Sequence, residues 1–516
     1  MANDAIEHVV IVGGGSAGWL TAAVIAADHR AAHPDGLRVT LVESPDLAPI
    51  GVGEGTWPSM RDTLRRIGVS ESDFFRECDA AFKQGSRFDR WLSGGDDDYY
   101  FHPFSLPQGF GEADLATRWR DAHGGVPFAD LASFQPHLCT AGRAPKQAAT
   151  PEFASVANYG YHLDAGKFGA FLKKHCLERL GVHYVADHVL GVVARPDGDI
   201  ASLRTQAHGL LAGDLFVDCS GMRSLLLGQH FEVPFLDQQH VLFNDRALAL
   251  QVPYPLETSP IASQTTSTAQ RCGWIWDIGL PNRRGVGHVY SSAHTSDDAA
   301  EAALRAYVAA SGGPADCPAA RKIGFRPGYR ERFWQGNCVA VGLSAGFIEP
   351  LEASALALVE LSAAMISDEM PADRSAMELV ARRFNETFRY RWERVIEFLK
   401  LHYVLSRRTD SDYWHDNRGD GTIPERLREL LALWAHRAPA RGDFPRIEEV
   451  FPAASYQYVL YGMDFRASSA GTRRRDPALA DAYFREAADL TRRMLGALPD
   501  NRTLIDHIRR HGLPRI

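Results

Sequence analysis

The sequence predicts an α/β fold organised around a dinucleotide-binding unit, and three observations carry the prediction. A Val/Ile-rich strand over 8–12 runs directly into Gly13-Gly14-Gly15-Ser16-Ala17-Gly18. An Ala-rich helix over about 19–29 follows, and a second strand over 37–42 ends at Glu43. Later strands recur in short apolar runs, and from about residue 375 onward the pattern is mainly helical.

Taken in order, residues 51–91 read as a Gly-rich loop followed by a helical pattern, which places Lys83 on a helix. Residues 96–151 read as irregular, mixing Gly, Pro and aromatics. A helix is expected over 164–180, then strands over 182–186, 189–195, 200–205 and 215–218. The stretch 241–290 alternates as a sheet does, and 382–406 is a long amphipathic helix. The chain divides into a core over 1–375, with inserted segments near 90–150 and 230–330, and a helical C-terminal subdomain over 376–516. No internal repeat is visible.

The chain has 516 residues, enough for one large α/β unit with added subdomains. Its 45% apolar and 23% charged content is that of a globular protein. A net charge of -8 argues against a nucleic-acid binder, which needs a basic face. The 7 cysteines form no C-x-x-C pair, so reduced, mostly buried thiols are expected and no metal site. Two acids precede the first apolar run, unlike a secretory signal, and no uncharged apolar run reaches bilayer length. A cytoplasmic protein is the expectation.

The glycine spacing has a physical reason. Gly13 permits the tight turn, Gly15 lets backbone approach a pyrophosphate, and Gly18 lets the helix pack close to the sheet. The helix start, with Ser16 and Ala17, offers N–H groups to phosphates, and Glu43 can accept from a ribose. A structural turn is the bland alternative; the complete strand–turn–helix–strand–acid unit favours the dinucleotide. FAD is preferred over NAD because residues 215–221 and 337–346 are strands entering small, polar or Gly-rich turns, placed as flavoproteins place their cofactor-closing strands.

Four segments together resemble the flavin-dependent tryptophan halogenase family. They are Gly51-Val52-Gly53-Glu54-Gly55-Thr56-Trp57-Pro58-Ser59, Glu77-Cys78-Asp79-Ala80-Ala81-Phe82-Lys83-Gln84-Gly85, Gly273-Trp274-Ile275-Trp276-Asp277-Ile278-Gly279 and Phe347-Ile348-Glu349-Pro350-Leu351-Glu352-Ala353-Ser354-Ala355. Their order and spacing fit nearly the whole chain. The fold implied is a FAD-binding Rossmann-like domain of flavin monooxygenase type, with a β-sheet substrate region and a mainly helical C-terminal subdomain. The resemblance adds Gly53, Val189, Leu343 and Leu356 to the cofactor-binding positions.

The chemistry implied by the resemblance is halogenation. Reduced FAD and O2 convert bound chloride or bromide to hypohalous acid, which passes through a tunnel to an electron-rich aromatic substrate, indole or tryptophan-like. Lys83 holds the oxidant there, and partial burial among Phe74, Phe75, Cys78 and Phe82 would raise its amine fraction. By itself Lys83 reads as a solvated helix lysine. Glu352 is assigned to stabilise the cationic ring and take its proton; the alternative is a helix-start acid beside the dipole. Ser354 and Ala355 match the positions that bind halide through backbone N–H groups. The family more often has Ser, Thr and Gly at positions 353–355, and backbone donors survive that change.

Trp274 and Trp276 match a bulky wall between flavin and substrate; the alternative is core packing. The motif's final Pro is replaced by Gly279. In the aromatic run Tyr99-Tyr100-Phe101-His102-Pro103-Phe104, read as a loop, His102 and Phe104 have the spacing of the family's indole sandwich. Tyr456, Tyr458 and Tyr461 are candidates from the C-terminal helices. The partners implied are a small aromatic substrate and a separate flavin reductase, with a homodimer among the possible assemblies and no metal. The competing readings are an FAD-dependent aromatic monooxygenase, a flavin-binding protein without catalysis, and a simple NAD dehydrogenase, for which no second nucleotide unit is visible.

Overall fold

The computed structural model describes residues 5–46, 53–314, 316–446, 449–466 and 476–515. The chain forms two compact units interleaved in sequence. One comprises Met1–Asp79, Leu163–Gln238 and Arg326–Trp392; the other comprises Ala80–His162, Gln239–Phe325 and Glu393–Ile516.

The first unit is built on a six-stranded sheet in the order Trp334–Gln335, Cys338–Ala340, Leu215–Asp218, His8–Val12, Arg38–Glu43, His183–Ala186. Its pairings are parallel except at the Trp334–Gln335 edge. All five residues of His8–Val12 are buried, as a strand covered on both faces requires. Helix Ser16–Asp28 packs against helices Ala165–Arg179 and Ser354–Asp368. Two small antiparallel sheets also belong to the unit: Val189–Ala194 with Ile200–Thr205 and Leu210–Ala212, and Phe235–Asp237 with Gly328–Arg330 and Gly346–Phe347.

The second unit carries a seven-stranded sheet in the order Arg321–Gly324, Arg246–Pro253, Arg283–Tyr290, Gly273–Gly279, Thr265–Gln270, Gly85–Asp89, Tyr99–Pro103. Its one parallel pairing joins Thr265–Gln270 to Gly85–Asp89. Helix Asp297–Ala310 sets Leu304 and Val308 against Leu250, Val252 and Ile275 in its core. Helices Glu425–Trp434, Ala453–Gly462, Pro477–Ala497 and Asn501–His511 follow in the C-terminal part, and helix Arg374–Val404 contributes residues to both units. Among the described residues, no helix is long and apolar enough to cross a membrane. Neither is there a group of His, Cys, Asp and Glu able to hold a metal. All 7 cysteines are free, and all but Cys317 are buried.

Two sequence expectations are corrected. Lys83 lies on strand Ala81–Lys83, not on a helix. The preceding helix Glu71–Glu77 stops because Asp79 takes φ +47°, and pairing with Gly160–Asp164 then draws Ala81–Lys83 into extended backbone. Tertiary pairing here overrides the helix propensity of Ala-Ala-Phe-Lys. Residues 96–151 are not irregular: they hold strand Tyr99–Pro103 and helices Leu115–His123, Phe128–Ala132 and Gln135–Thr140. The aromatic run is a strand because it pairs with Gly85–Asp89, a half-buried surface that suits flat side chains.

Candidate active site

In the first unit, the glycine turn leaves the C-terminal end of His8–Val12, where the parallel strand order places ligands. A Cβ on Gly13, whose φ is +119°, would fall 2.1 Å from the Cys219 carbonyl oxygen. On Gly18 it would fall 1.9 Å from the Gly13 oxygen, so the helix can approach the turn only without a side chain there. A Cβ on Gly15 would meet nothing within 4 Å. Gly15 is also the N-cap of Ser16–Asp28, and no side chain among the described residues caps that end. The helix start therefore presents N–H groups and a positive dipole end to open space, a cradle for a phosphate.

Glu43, Val189 and Leu343, three of the positions expected to hold the cofactor, lie at or beside strand ends of this unit. Glu43 accepts from Lys173 Nζ at 2.7 Å, and that ammonium lies 3.9 Å from the Tyr184 ring centroid. The Glu43 carbonyl accepts from Asp187 N at 3.0 Å, which brings strand Val189–Ala194, headed by Val189, beside it. Leu343 lies in the turn Gly342–Ser344; a Cβ on Gly342, at φ +72°, would be 2.8 Å from the Ala17 Cβ. Ser344 Oγ donates to the Asp218 carbonyl, tying this turn to Leu215–Asp218. Leu356 is buried in helix Ser354–Asp368, and Gly53 is buried at the start of strand Gly53–Gly55; Gly51 and Val52 of that motif lie outside the described residues. These groups fit a dinucleotide such as FAD.

The segment before helix Ser354–Asp368 has unusual backbone. Glu352 has φ 65° and ψ 7°, and Ala353 has φ 55° and ψ 44°, two consecutive non-glycine residues in the left-handed region. Each costs about 1–2 kcal/mol, so the surroundings must hold them there. The N-cap residue Ala353 has no side-chain acceptor to cap the helix, so the N–H groups of its first turn, Ser354 and Ala355 among them, are of the kind that can hold an anion. The Glu352 side chain is 6% exposed and Glu349 is 1% exposed. Trp57 Nε1 donates to the Glu352 carbonyl at 2.7 Å. Farther along the helix, Glu360 accepts from Thr63 Oγ1 at 2.6 Å and Ser59 Oγ at 3.3 Å. Burial pushes the Glu360 carboxyl up to about 8 and that of Glu54 up to about 7.

In the second unit, Lys83 is 1% exposed. Strand Ala81–Lys83 pairs antiparallel with Gly160–Asp164, setting Lys83 opposite Gly160 and Ala81 opposite His162. Side chains two apart share a face, so His162 is the diagonal neighbour of Lys83. His162 is fully buried; burial first, and the Lys83 charge second, hold its imidazole well below the usual range and therefore neutral. Its Nε2 lies 2.9 Å from Thr265 Oγ1. The residue after Lys83 is anchored hard: Gln84 N donates to Ser263 O at 2.6 Å, and Nε2 donates to Arg143 O at 2.8 Å and Ser263 Oγ at 3.1 Å. Gly85, at φ +152°, passes so close to His102 that a Cβ would lie 2.6 Å from its carbonyl oxygen.

The aromatic side chains follow from this frame. Phe104 N donates to Gln84 O at 3.1 Å, which puts the Phe104 ring centroid 5.3 Å from Lys83 Nζ. The His102 ring, 7% exposed, faces Phe398, Phe451 and Tyr458 at centroid distances of 5.7, 6.4 and 6.2 Å. Trp274 and Trp276 project from one face of Gly273–Gly279, centroids 6.4 Å apart and 1% and 7% exposed. Gly287 makes room for Trp276, because a Cβ there would lie 2.1 Å from the indole. Tyr456 is enclosed by Trp434, Phe444 and Phe398, and Tyr461 by Phe128 and Trp119. No spacing in the sequence marks His162 as a neighbour of Lys83, or Phe398 and Phe451 as neighbours of His102, since these partners lie far apart in the chain.

Residues 8–476 match the family model described as tryptophan halogenase. The chain is 34% identical over 519 residues to a tryptophan 6-halogenase of Streptomyces toxytricini, covering 96% of each chain. Its fold matches the crystal structure of a tryptophan halogenase from Shewanella frigidimarina with a TM-score of 0.94 and 47% identity, over 99% of both chains. A flavin-dependent halogenase from a Brevundimonas species matches with a TM-score of 0.85 and 34% identity, over 98% of this chain and 100% of that one.

Proposed function

Because the chain belongs to the flavin-dependent tryptophan halogenase family, we propose that it replaces a ring hydrogen of an indole or tryptophan-like substrate by chlorine or bromine, with Lys83 presenting the halogen. The observation that carries the assignment is a lysine 1% exposed, on a hydrogen-bonded strand, beside an aromatic ring and a neutral histidine. A lysine placed only for solubility would have its ammonium in water.

Reduced FAD, when bound, supplies with O2 the oxidising equivalents that turn halide into hypohalous acid. The N–H groups of Ser354 and Ala355 hold the halide without a positive side chain. Lys83 donates a hydrogen bond to the hypohalous acid and aims its halogen at the ring carbon. The carbon–halogen bond forms as the halogen–oxygen bond breaks, and the departing hydroxide takes a proton from the Lys83 ammonium that donates to it and leaves as water, the ring proton later restoring the lysine by way of solvent. Glu352 offsets the cationic ring charge and accepts its proton, restoring aromaticity. Trp274 and Trp276 act as the wall that keeps the substrate from direct oxygenation. His102 and Phe104 supply flat apolar faces for the ring, with Tyr456 behind the aromatic cluster. The rings of Phe398, Phe451 and Tyr458 around His102 support a substrate-covering role for the helical segment 376–516. A separate reductase supplies the reduced flavin in the cytoplasm, and a homodimer is the assembly to test.

The experiment is Lys83→Ala, assayed with FAD, a flavin reductase, O2, chloride or bromide, and a panel of indoles. Halogenated product should be abolished while bound FAD persists. Undiminished halogenation by Lys83→Ala, or only hydroxylated product from the unaltered enzyme at saturating halide, would refute the assignment.

A further inference from the structure

We propose that Trp57 is a positioning residue for halide binding, its indole N–H pinning the left-handed backbone from which the halide-binding N–H groups project. The inference rests on the reading of Glu352, Ser354 and Ala355 given above. Glu352 and Ala353 both sit at φ near +60°, where a Cβ crowds the following carbonyl. Such a turn persists only if its surroundings hold it, and Trp57 Nε1 donates to the Glu352 carbonyl at 2.7 Å. That carbonyl belongs to the peptide whose N–H is that of Ala353, directly before Ser354. Fixing its direction fixes the fan of N–H groups at the helix start.

The donor is itself held. The Trp57 carbonyl accepts from Met60 N at 3.1 Å and from Thr56 Oγ1 at 3.2 Å, locking the entry to helix Met60–Arg66. Two residues on, Ser59 and, one turn later, Thr63 donate to Glu360 of the same helix that starts at Ser354. The loop and the helix are therefore joined at both ends of a short span: by Trp57 at the strained turn and by Glu360 nearly two turns beyond it. Because Gly53–Gly55 leads into this loop, the cofactor-side segment and the anion turn form one hydrogen-bonded assembly within the first unit.

The test uses the intact FAD-loaded enzyme with reductase and O2, and Trp57→Phe, which keeps a ring and deletes the donor. The KM for chloride and for bromide should rise on the order of tenfold, the effect of losing one hydrogen bond. The kcat at saturating halide should stay within about twofold, and retained FAD absorbance should be unchanged. Ala353→Gly supplies the second arm, since glycine takes positive φ without strain. In that background Trp57→Phe should raise the halide KM by less than about threefold, a non-additivity that a general packing role would not produce. An unchanged halide KM in Trp57→Phe, or equal effects in both backgrounds, overturns the proposal. Glu352→Gln separates the two levels. If it halogenates at full rate, the reading of the turn as catalytic fails; if it is inactive while Trp57→Phe is unaffected, the role of Trp57 alone fails.

Discussion

Gly15→Ala and Gly18→Ala differ by one methyl group each, three residues apart, yet the structure requires them to fail in different ways. At Gly15 the added Cβ meets no protein atom within 4 Å, and the backbone, at φ -76° and ψ 179°, suits alanine. The fold should be unaffected or stabilised by about 0.4–1 kcal/mol through the less flexible unfolded chain. The same methyl enters the space over the uncapped helix start that a pyrophosphate needs. Losing one charge-assisted hydrogen bond costs about 1.5–3 kcal/mol, so FAD affinity should fall by roughly 10- to 150-fold. At Gly18 the Cβ would stand 1.9 Å from a backbone oxygen, well inside the 3.0 Å limit of real contacts. Turn and helix must separate by about 1 Å, which loosens the packing of the unit and lowers the melting temperature along with FAD binding. The assay is paired: flavin fluorescence titration and thermal melting of the FAD-free protein. If Gly15→Ala binds FAD as tightly as the unaltered chain, the open space above the helix start does not receive the phosphates and the placement of the cofactor is wrong.

Two further outcomes follow from the same geometry. Burial raises the Glu360 carboxyl from 4.5 to about 8, so the folded chain keeps a proton that the unfolded chain gives up. Stability from this group is complete below pH about 4.5 and is lost as pH rises through about 8, by up to about 1.4 kcal/mol per pH unit. Glu360→Gln cannot ionise, so melting curves should place it above the unaltered chain at pH 9, with the difference closing near pH 5; a constant difference would show that Glu360 does not titrate there. Gly287→Ala would drive a Cβ to 2.1 Å from the Trp276 indole. It should cost about 1–3 kcal/mol by overpacking and release more hydrogen peroxide per halogenated product, whereas unchanged coupling would remove Trp276 from the wall.

Much of the first unit was legible in the chain because its signals are local. The strand over 8–12, the glycine turn, the helix and the acid at Glu43 follow one another within one short stretch of chain. The second unit was less legible. The sequence places Lys83 on a helix because a Gly-rich loop runs into a helical pattern over 51–91, and Tyr99–Pro103 in a loop because Gly, Pro and aromatics mix nearby, whereas both are strands. Both are strands because partners at Gly160–Asp164 and Gly85–Asp89 capture their backbone groups, and no local window contains that information. The carboxyl of Glu352 was visible in a motif; the left-handed turn that carries it was not, since Glu and Ala have no sequence preference for positive φ.

The sequence by itself determined the α/β class and the family, because nearest-neighbour periodicity and motif order are written in residue identity. Tertiary structure alone decided the rest: the burial of Lys83, its neutral neighbour His162, the aromatic surround of His102, and the hydrogen bond from Trp57 to Glu352. Those properties arise from contacts between residues tens to hundreds of positions apart. Burial, proton affinity and backbone strain are set by what packs around a group, not by the group or its neighbours in the chain.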